Sequence, residues 1–285
     1  MSAKIIDGKT LSRTIKEEIK TKIESIVSRN GRRPSLAVVI VGADPASEIY
    51  VSHKEKACNE VGIDSKVIRL EERTSQIQLE EILSALNTDN NINGILLQLP
   101  LPGNLSSDRA LDCIDPKKDV DGLTPQNQGL LVVKRNGLFP CTPLGCMELI
   151  KSTGTKIEGK LAAVIGRSLL VGSPIRTMLT NEGATTFTIH TKTRNPPEIT
   201  KMADILIAAA GVPELVKGDW VKPGALVIDV GMHRTQGKLT GDVHFESVKD
   251  VAEYLTPVPG GVGPMTIAML LSNCLKAYEM KNISS

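Results

Sequence analysis

Two alternating patterns of hydrophobic and polar residues run along most of the chain, and they predict short buried strands separated by helices. The strand pattern is a continuous aliphatic run, and the helix pattern repeats every 3.6 residues. Continuous aliphatic strands that alternate with helices are typical of βαβ units with a parallel sheet. In the first half, the strands are predicted at 35–43, 66–70 and 94–100, and the intervening helices at 45–61 and 75–87.

A second βαβ series follows Gly137 and a stretch rich in turn residues. It ends with an apolar-periodic helix that opens at Pro264, and we expect that helix to pack on the first domain. We predict an α/β fold with two βαβ domains flanking a cleft. One domain spans 1–138 plus 266–285, and a Rossmann-like domain spans 139–265. In this series the strands are predicted at 161–166, 185–190, 204–211 and 225–231.

Composition narrows the function classes. A length of 285 residues favours two domains, and a net charge of +2 with interspersed signs argues against a nucleic-acid partner. No apolar run is long enough to span a membrane, so we expect no membrane partner. The five cysteines lack metal spacing and predict free thiols in a reducing cytoplasm. The four histidines also lack ligand spacing, so we expect no metal site.

The helix at 45–61 places a lysine among apolar residues. Asp44 as N-cap and Gly62 just past the last turn delimit this helix. Lys54 shares an otherwise apolar stripe with Tyr50, which lies one turn earlier. A lysine whose stem follows the edge of the core and whose amine reaches water is the simpler interpretation. The alternative is a partly desolvated amine that takes part in chemistry.

Two polar positions stand near the predicted end of the 94–100 strand. Gln98 closes an aliphatic run, at the edge of the sheet where ligands bind in open α/β folds. A structural amide that satisfies loop backbone is the alternative. Farther on, Asp119 and Asp121 bracket a valine, where carboxylates are usually solvated or cap a turn. One of them could instead bind two N–H groups of a ligand together.

The segment at 164–174 has the setting of a phosphate-binding turn. It follows a buried strand and opens a helix, with Gly166 for a tight turn and Gly172 for close approach of a pyrophosphate. The next strand ends in the basic sequence "HTKTR" (190–194), without the acid that binds a ribose hydroxyl in NAD enzymes. Together with Arg167 this pattern favours NADP. A glycine turn without a ligand and a solvated basic loop are the alternatives.

Six segments together resemble one family. They are "VGADPASEIYVSHKEKACNEVGI", "LNTDNNINGILLQLPLP", "PKKDVDGL", "FPCTPLG", "VIGRSLLVGSP" and "PVPGGVGPMT", in that order. They are similar to the bifunctional methylenetetrahydrofolate dehydrogenase/methenyltetrahydrofolate cyclohydrolase family of one-carbon metabolism. The likeness spans essentially the whole chain. It implies an NADP-dependent oxidation and a hydrolysis of tetrahydrofolate derivatives by a cytoplasmic homodimer.

The resemblance also implies roles for individual residues. Lys54 corresponds to the catalytic group, Gln98 to the residue that positions it, and Tyr50 to a side chain that packs against the folate. Asp121 corresponds to the aspartate that binds the amino-pyrimidine edge of the pterin. Further substrate contacts are implied for Pro259, Gly260, Gly261 and Pro264, and NADP contacts for Gly166, Arg167, Ser168, Gly172, Pro174, His190, Thr191, Thr193, Gly211 and Thr266.

Two other functions fit parts of the pattern. The first is a non-catalytic NADP-binding regulator of the same fold, but a binding module has no need of the Lys54 amine. The second is a dehydrogenase of similar architecture that acts on another small substrate, such as a shikimate-type enzyme. The blocks "QLPLP" and "PGGVGPMT" disfavour this second alternative.

Overall fold

The computed structural model of the protein describes residues 2–29, 31–235 and 237–283. Within these residues, no helix is both long and apolar enough to cross a membrane. The helices are α1 (Gly8–Ser28), α2 (Pro45–Val61), α3 (Gln76–Thr88), α4 (Ser107–Asp112), α5 (Pro125–Val132), α6 (Cys141–Ser152), α7 (Gly172–Asn181), α8 (Pro196–Thr200), α9 (Phe245–Val248) and α10 (Val262–Ile283). The strands are β1 (Lys4–Ile5), β2 (Ser35–Val41), β3 (Asp64–Leu70), β4 (Gly94–Leu97), β5 (Leu161–Ile165), β6 (Thr185–Ile189), β7 (Ile205–Ala208), β8 (Leu226–Asp229), β9 (His233–Thr235), β10 (Lys238–Thr240) and β11 (Tyr254–Leu255).

The chain divides into two compact units. The three-stranded unit comprises Thr14–Cys141 and the C-terminal residues from Ile267. The six-stranded unit comprises the described residues up to Arg13 together with Thr142–Thr266. The C-terminal part of α10 therefore packs with the first half of the chain, as its apolar pattern predicted.

A parallel sheet with the order β3-β2-β4 forms the centre of the three-stranded unit. The central strand β2 is almost completely buried, which explains its unbroken aliphatic sequence. Strand β4 ends at Leu97, before the predicted limit of 100, so Gln98 lies just beyond the strand. The predicted parallel arrangement is confirmed.

Helix α2 begins and ends where its sequence predicts. The Asp44 side chain accepts a hydrogen bond from the Ser47 amide at 2.8 Å, and Pro45 occupies the first turn. Gly62 ends the helix with a φ of 86°, a left-handed conformation that glycine adopts without strain. These caps fix the two ends of α2 and therefore the face of the helix on which Lys54 lies.

The six-stranded unit contains a parallel sheet with the order β1-β11-β8-β7-β5-β6. Strands β5 to β8 correspond to the four predicted strands, shortened at their ends. The edge strand β1 differs from the prediction. Lys4 pairs with Tyr254 and Ile5 with Leu255, so the N-terminal residues belong to this unit and not to the one expected from 1–138.

The turn-rich segment after Gly137 also differs in part from expectation. Helix α6 begins at Cys141, so most of "FPCTPLG" is helical. Pro143 lies in the first turn of α6, where a missing N–H removes no helical hydrogen bond. Proline near a helix start therefore looked like a turn in the sequence.

Candidate active site

A hydrogen-bonded lysine–glutamine pair lies at the carboxyl edge of the three-stranded sheet. Lys54 is in the middle of α2, and its Nζ donates to Oε1 of Gln98 at 2.9 Å. Gln98 is the first residue after β4. In open α/β sheets, ligands bind at this edge. The pair therefore stands where a substrate would be expected.

The backbone around Gln98 holds its amide in one orientation. Its Nε2 donates to the Leu99 carbonyl at 2.6 Å, and its backbone N–H donates to the Val39 carbonyl at 2.8 Å. Because the amide nitrogen faces a carbonyl, the amide oxygen faces Lys54. The Leu99-Pro100 peptide bond is cis. Gln98 is thus a fixed acceptor for the amine.

Lys54 stands at the border between the buried and the exposed parts of α2. Later on the same stripe, Ala57 and Val61 are 5% and 2% exposed, whereas Tyr50 is 41% exposed. Lys54 itself is half-buried. Its amine ends at Gln98, which favours the interpretation of a partly desolvated amine over that of a lysine that only reaches into water.

The two aspartates of "DVDG" have different surroundings. Asp119 is 1% exposed, and its carboxylate accepts from the amides of Leu123 at 3.1 Å and Thr124 at 2.8 Å. The side-chain amide of Asn127 also donates to it, at 2.9 Å. Asp119 therefore caps a turn, which was the simpler alternative for this pair. Asp121 takes no part in these bonds and stays the predicted ligand-binding member of the pair.

Asp121 shares its surroundings with a cysteine. Burial raises the pKa of the Asp121 carboxyl; the Lys54 charge opposes this, the Asp119 charge adds to it, and a hydrogen bond from the Cys141 thiol opposes it. Burial also raises the pKa of the Cys141 thiol well above its usual value, so the thiol stays protonated. The thiol sulfur also lies 3.2 Å from the Val120 carbonyl oxygen, so its single hydrogen is shared between two acceptors. Sequence reasoning missed Cys141, because a buried cysteine usually behaves as a small apolar residue.

Two glycines close the turn between β5 and α7. Gly166 has a φ of 116°, and a Cβ atom there would lie 2.1 Å from the Ala209 carbonyl oxygen. A Cβ atom at Gly172 would lie 2.3 Å from the Gly166 carbonyl oxygen. The packing of the turn itself therefore requires glycine at 172, where the sequence suggested close approach of a pyrophosphate.

Ser168 satisfies the first amides of α7. Its Oγ accepts from the amides of Val171 at 3.2 Å and Gly172 at 3.4 Å, and its carbonyl accepts from the Ser173 amide at 2.9 Å. The Ser168 hydroxyl and the exposed Arg167 guanidinium can donate to an anion at this helix end, where the dipole is positive. The buried Pro174, which has no N–H, completes the first turn.

The basic loop after β6 is shaped by its own side chains. The His190 amide donates to the Thr193 hydroxyl at 3.0 Å, and the Lys192 amide donates to Nδ1 of His190 at 3.1 Å. Thr191, Lys192 and Arg194 are exposed. His190 and Thr193 thus form the loop, while the exposed hydroxyl and cations suit a phosphate.

A buried aspartate that the sequence analysis missed supports the loop after β7. Oδ2 of Asp242 accepts from the amides of Ala210 at 2.6 Å and Gly211 at 2.9 Å. Its Oδ1 lies 2.8 Å from Nε2 of His233. Asp242 therefore fixes the backbone of Gly211, a predicted cofactor residue. Its only sequence signal was a position in a turn, which does not separate it from a solvated aspartate.

Backbone hydrogen bonds fix the loop that precedes α10. The Lys9 amide donates to the Gly260 carbonyl at 3.1 Å, and the Gly261 amide donates to the Pro257 carbonyl at 2.9 Å. Pro259 is exposed and follows a cis peptide bond. These contacts hold the backbone of a loop that its glycines and prolines predict to be rigid.

Part of the predicted loop is already helical. Helix α10 begins at Val262, so Pro264 and Thr266 lie in its first turns. The hydroxyl of Thr266 is 3.0 Å from the hydroxyl of Thr142. Thr266 is thus held at the start of α10 within the six-stranded unit.

Comparisons with known proteins agree with this geometry. Residues 6–121 match the description "Tetrahydrofolate dehydrogenase/cyclohydrolase, catalytic domain", and residues 140–282 match the corresponding "NAD(P)-binding domain". The chain belongs to the tetrahydrofolate dehydrogenase/cyclohydrolase family. The dehydrogenases of the shikimate type are therefore set aside as an alternative.

Relatives and solved structures match over nearly the full length. The chain is 49% identical over 282 residues to the Bifunctional protein FolD of Acetivibrio thermocellus, and the aligned region covers 99% of each protein. The crystal structure of the FolD enzyme of Campylobacter jejuni matches with a TM-score of 0.96 at 47% identity, covering 98% of this chain and 100% of that one. FolD of Trypanosoma brucei, complexed with NADP and an inhibitor, matches with a TM-score of 0.94 at 38% identity, covering 99% of each chain.

The candidate residues fall into two groups. Tyr50, Lys54, Gln98 and Asp121 all belong to the three-stranded unit, where side-chain contacts or charges link the last three. The remaining candidates belong to the six-stranded unit: Pro259, Gly260, Gly261, Pro264, Gly166, Arg167, Ser168, Gly172, Pro174, His190, Thr191, Thr193, Gly211 and Thr266.

Proposed function

We propose that this protein oxidises 5,10-methylenetetrahydrofolate to 5,10-methenyltetrahydrofolate with NADP and then hydrolyses the product to 10-formyltetrahydrofolate. The observation that carries the proposal is the 2.9 Å hydrogen bond from Lys54 Nζ to Gln98 Oε1. Hydrolysis needs a group that moves protons, and an amine fixed against an amide acceptor meets that need. A regulator that only binds NADP has no use for such a pair.

Lys54 is the group to which we assign proton transfer. In the hydrolysis, water adds to the methenyl carbon and gives one proton to the Lys54 amine in its uncharged form. The adduct then opens to the formyl product as its hydroxyl proton moves to the ring nitrogen that leaves. Gln98 accepts one hydrogen bond from the Lys54 amine. The remaining hydrogen-bonding positions on the Lys54 nitrogen are thereby directed towards the substrate. The half-buried setting of Lys54 keeps bulk water from replacing this contact.

Asp121 and Tyr50 are the groups to which we assign substrate binding. The Asp121 carboxylate has two oxygens that can accept from adjacent N–H groups, the pattern on the amino-pyrimidine edge of a pterin. Tyr50 lies one turn before Lys54, and its ring is 41% exposed, so it can pack against an aromatic ligand. Pro259, Gly260, Gly261 and Pro264 are further proposed substrate contacts.

The six-stranded unit fits NADP at the turn after β5. When bound, this cofactor accepts the hydride that leaves the methylene group. Gly166 and Gly172 close the turn without side chains, and Ser168 and Arg167 can donate to the pyrophosphate at the start of α7. The exposed Thr191, Lys192 and Arg194 suit the 2′-phosphate. Further proposed cofactor contacts are Pro174, His190, Thr193, Gly211 and Thr266.

Assembly, location and domain roles extend the proposal. We assign the folate chemistry to the three-stranded unit and NADP binding to the six-stranded unit. The family resemblance supports a homodimer in the cytoplasm. Light scattering of the purified protein tests the dimer, since a monomer at micromolar concentration would contradict it.

One assay tests both activities together. Purified protein is mixed with methylenetetrahydrofolate and NADP, and the absorbances of NADPH and of the methenyl product are followed at the same time. A rise of NADPH with little methenyl product is the expected result. Accumulation of the methenyl product would remove the hydrolysis from the proposal, and the absence of both signals with NADP and NAD would overturn it.

A further inference from the structure

A buried asparagine on α10 makes several hydrogen bonds beside the candidate site. Asn273 is 3% exposed and lies among buried apolar residues of the helix. Its Nδ2 donates to the Val120 carbonyl at 2.8 Å and to the Phe139 carbonyl at 2.8 Å, and it also lies 3.7 Å from Sγ of Cys141. A polar group at such a position is costly unless both hydrogens find acceptors. Asn273 therefore has a specific structural role in this part of the core.

The two acceptors belong to the segments that carry Asp121 and Cys141. Val120 immediately precedes Asp121, and Phe139 lies two residues before Cys141. The Cys141 thiol donates to the same Val120 carbonyl at 3.2 Å and also meets the Asp121 carboxylate. Asn273 thus joins the backbones of both segments at the place where their side chains meet.

A lysine one turn later on α10 strengthens the same connection. Nζ of Lys276 donates to the Gly137 carbonyl at 2.7 Å and lies 5.4 Å from the centre of the Phe139 ring. The segment from Gly137 to Cys141 is therefore attached to α10 at two points. The position of Cys141, and through it of Asp121, depends on this helix.

We propose that Asn273 is a positioning residue that sets the Asp121 carboxylate for binding of the tetrahydrofolate substrate. The inference rests on the proposed role of Asp121 in holding the pterin. Asn273 does not touch the substrate in this scheme. It acts through the backbone on either side of the carboxylate.

The test compares two variants of the full-length enzyme. Asn273→Leu keeps the side-chain volume but removes both donors, and Asn273→Ala leaves room for water to replace them. Because a carboxylate displaced from its ligand loses a charge-assisted contact, we expect Asn273→Leu to raise the KM for methylenetetrahydrofolate at least about tenfold. The KM for NADP should stay unchanged. Asn273→Ala, with the smaller perturbation of the carbonyls, should lie between wild type and Asn273→Leu.

The matched control is Asn93→Leu in the same unit. Asn93 is 6% exposed, and its Oδ1 accepts from the Ser35 amide at 3.0 Å. We expect a comparable loss of melting temperature from this variant, with an unchanged KM for the folate. An equal rise of that KM in both leucine variants, at equal loss of melting temperature, would overturn the inference.

A double variant separates the inference from the proposed function. If Asn273 acts through Asp121, Asn273→Leu adds nothing to the KM of Asp121→Asn, whereas full additivity overturns the inference. If Asp121→Asn leaves the KM for the folate unchanged, the proposed substrate site itself fails. If Asp121→Asn raises it and both Asn273 variants behave as wild type, only the positioning role fails.

Discussion

The two sheet edges that carry the candidate sites use different parts of the chain. At the edge of the three-stranded sheet, side chains provide the chemistry, since Lys54 donates to Gln98 and Asp121 adds a carboxylate. At the edge of the six-stranded sheet, close backbone packing shapes the candidate site, since Gly166 and Gly172 lie directly against neighbouring carbonyls. We therefore expect a substitution at the first site to remove function and keep the fold, and a substitution at the second site to weaken both.

The same difference separates two carboxylates whose pKa is raised chiefly by burial. Asp229 in the six-stranded unit accepts from the amides of Gly231 at 3.0 Å, Asp242 at 2.9 Å and Val243 at 3.0 Å. The carboxylate oxygens of Asp229 therefore accept hydrogen bonds from backbone amides. Asp121 in the three-stranded unit instead meets a thiol and the charge of an amine. This difference supports Asp121, and not Asp229, as the proposed ligand-binding carboxylate.

Substitution of the catalytic candidate tests the side-chain site most strongly. We expect Lys54→Met to lower the hydrolysis rate by roughly 100- to 10,000-fold, the usual contribution of a proton-transfer group. Binding of NADP and the melting temperature should stay near those of the wild type. Lys56→Met, which changes an exposed lysine on the same helix, is the control. Full hydrolysis by Lys54→Met would contradict the assignment.

Substitution of a turn glycine tests the backbone site. A Cβ atom at Gly166 would lie 2.1 Å from the Ala209 carbonyl oxygen, so Gly166→Ala must displace backbone. We expect a loss of about 3 kcal/mol in the free energy of unfolding, together with weaker NADP binding. Gly224→Ala is the control, because Gly224 also has a positive φ but nothing within 4 Å of its Cβ position. That control should lose only about 1 kcal/mol. Equal losses would show that the close approach has no effect.

The backbone-bound carboxylate should give the stability a pH dependence. Burial raises the pKa of Asp229 to about 7, far above its value in an unfolded chain. The native state then holds a proton that the unfolded state has lost, so stability falls as pH rises through this window. From pH 5.5 to pH 7 the loss is about 2 kcal/mol. Urea unfolding at the two pH values measures it. If the free energy of unfolding depends on pH in the same way in Asp229→Asn, another group causes the effect.

The site carboxylate should instead give substrate affinity a pH dependence. The pKa of Asp121 is raised, chiefly by burial, so its charged form is lost at a higher pH than for an ordinary aspartate. Folate affinity should therefore fall as pH decreases through that raised pKa, by at most about tenfold per pH unit. Calorimetric titration with a stable folate measures this change. The fall of folate affinity at low pH should be absent in Asp121→Asn. If it persists in this variant, the assignment is contradicted.

Local sequence signals predicted the central elements well. Asp44, Pro45 and Gly62 set the limits of α2, and aliphatic runs located the buried strands. These features depend on neighbouring residues, so they can be seen without tertiary structure. The edge strands β1 and β11 could not be predicted, because each has two residues and their pairing joins Lys4 to Tyr254. Two residues are too few to show a period.

The candidate site was visible in part for the same reason. Gln98 and Lys54 each interrupt an apolar pattern, and the family resemblance connected them. Asn273 interrupts the apolar pattern of α10 in the same way, and that signal could have found it. Its partners could not be foreseen, because the Val120 carbonyl lies 153 positions away and carries no side-chain signal.

The pairing of β1 with β11 also affects how the protein is made on the ribosome. The first strand leaves the exit tunnel about 250 residues before its partner, as the Lys4–Tyr254 pair shows. At a translation rate of about 5–20 residues per second, roughly 10 to 50 seconds pass before the partner strand is made, and β1 is unpaired during that time. Helix α10, whose larger part belongs to the three-stranded unit, is synthesised after the other elements of both units. Neither unit can therefore finish folding before this late segment has been made, and the nascent chain must stay soluble until then.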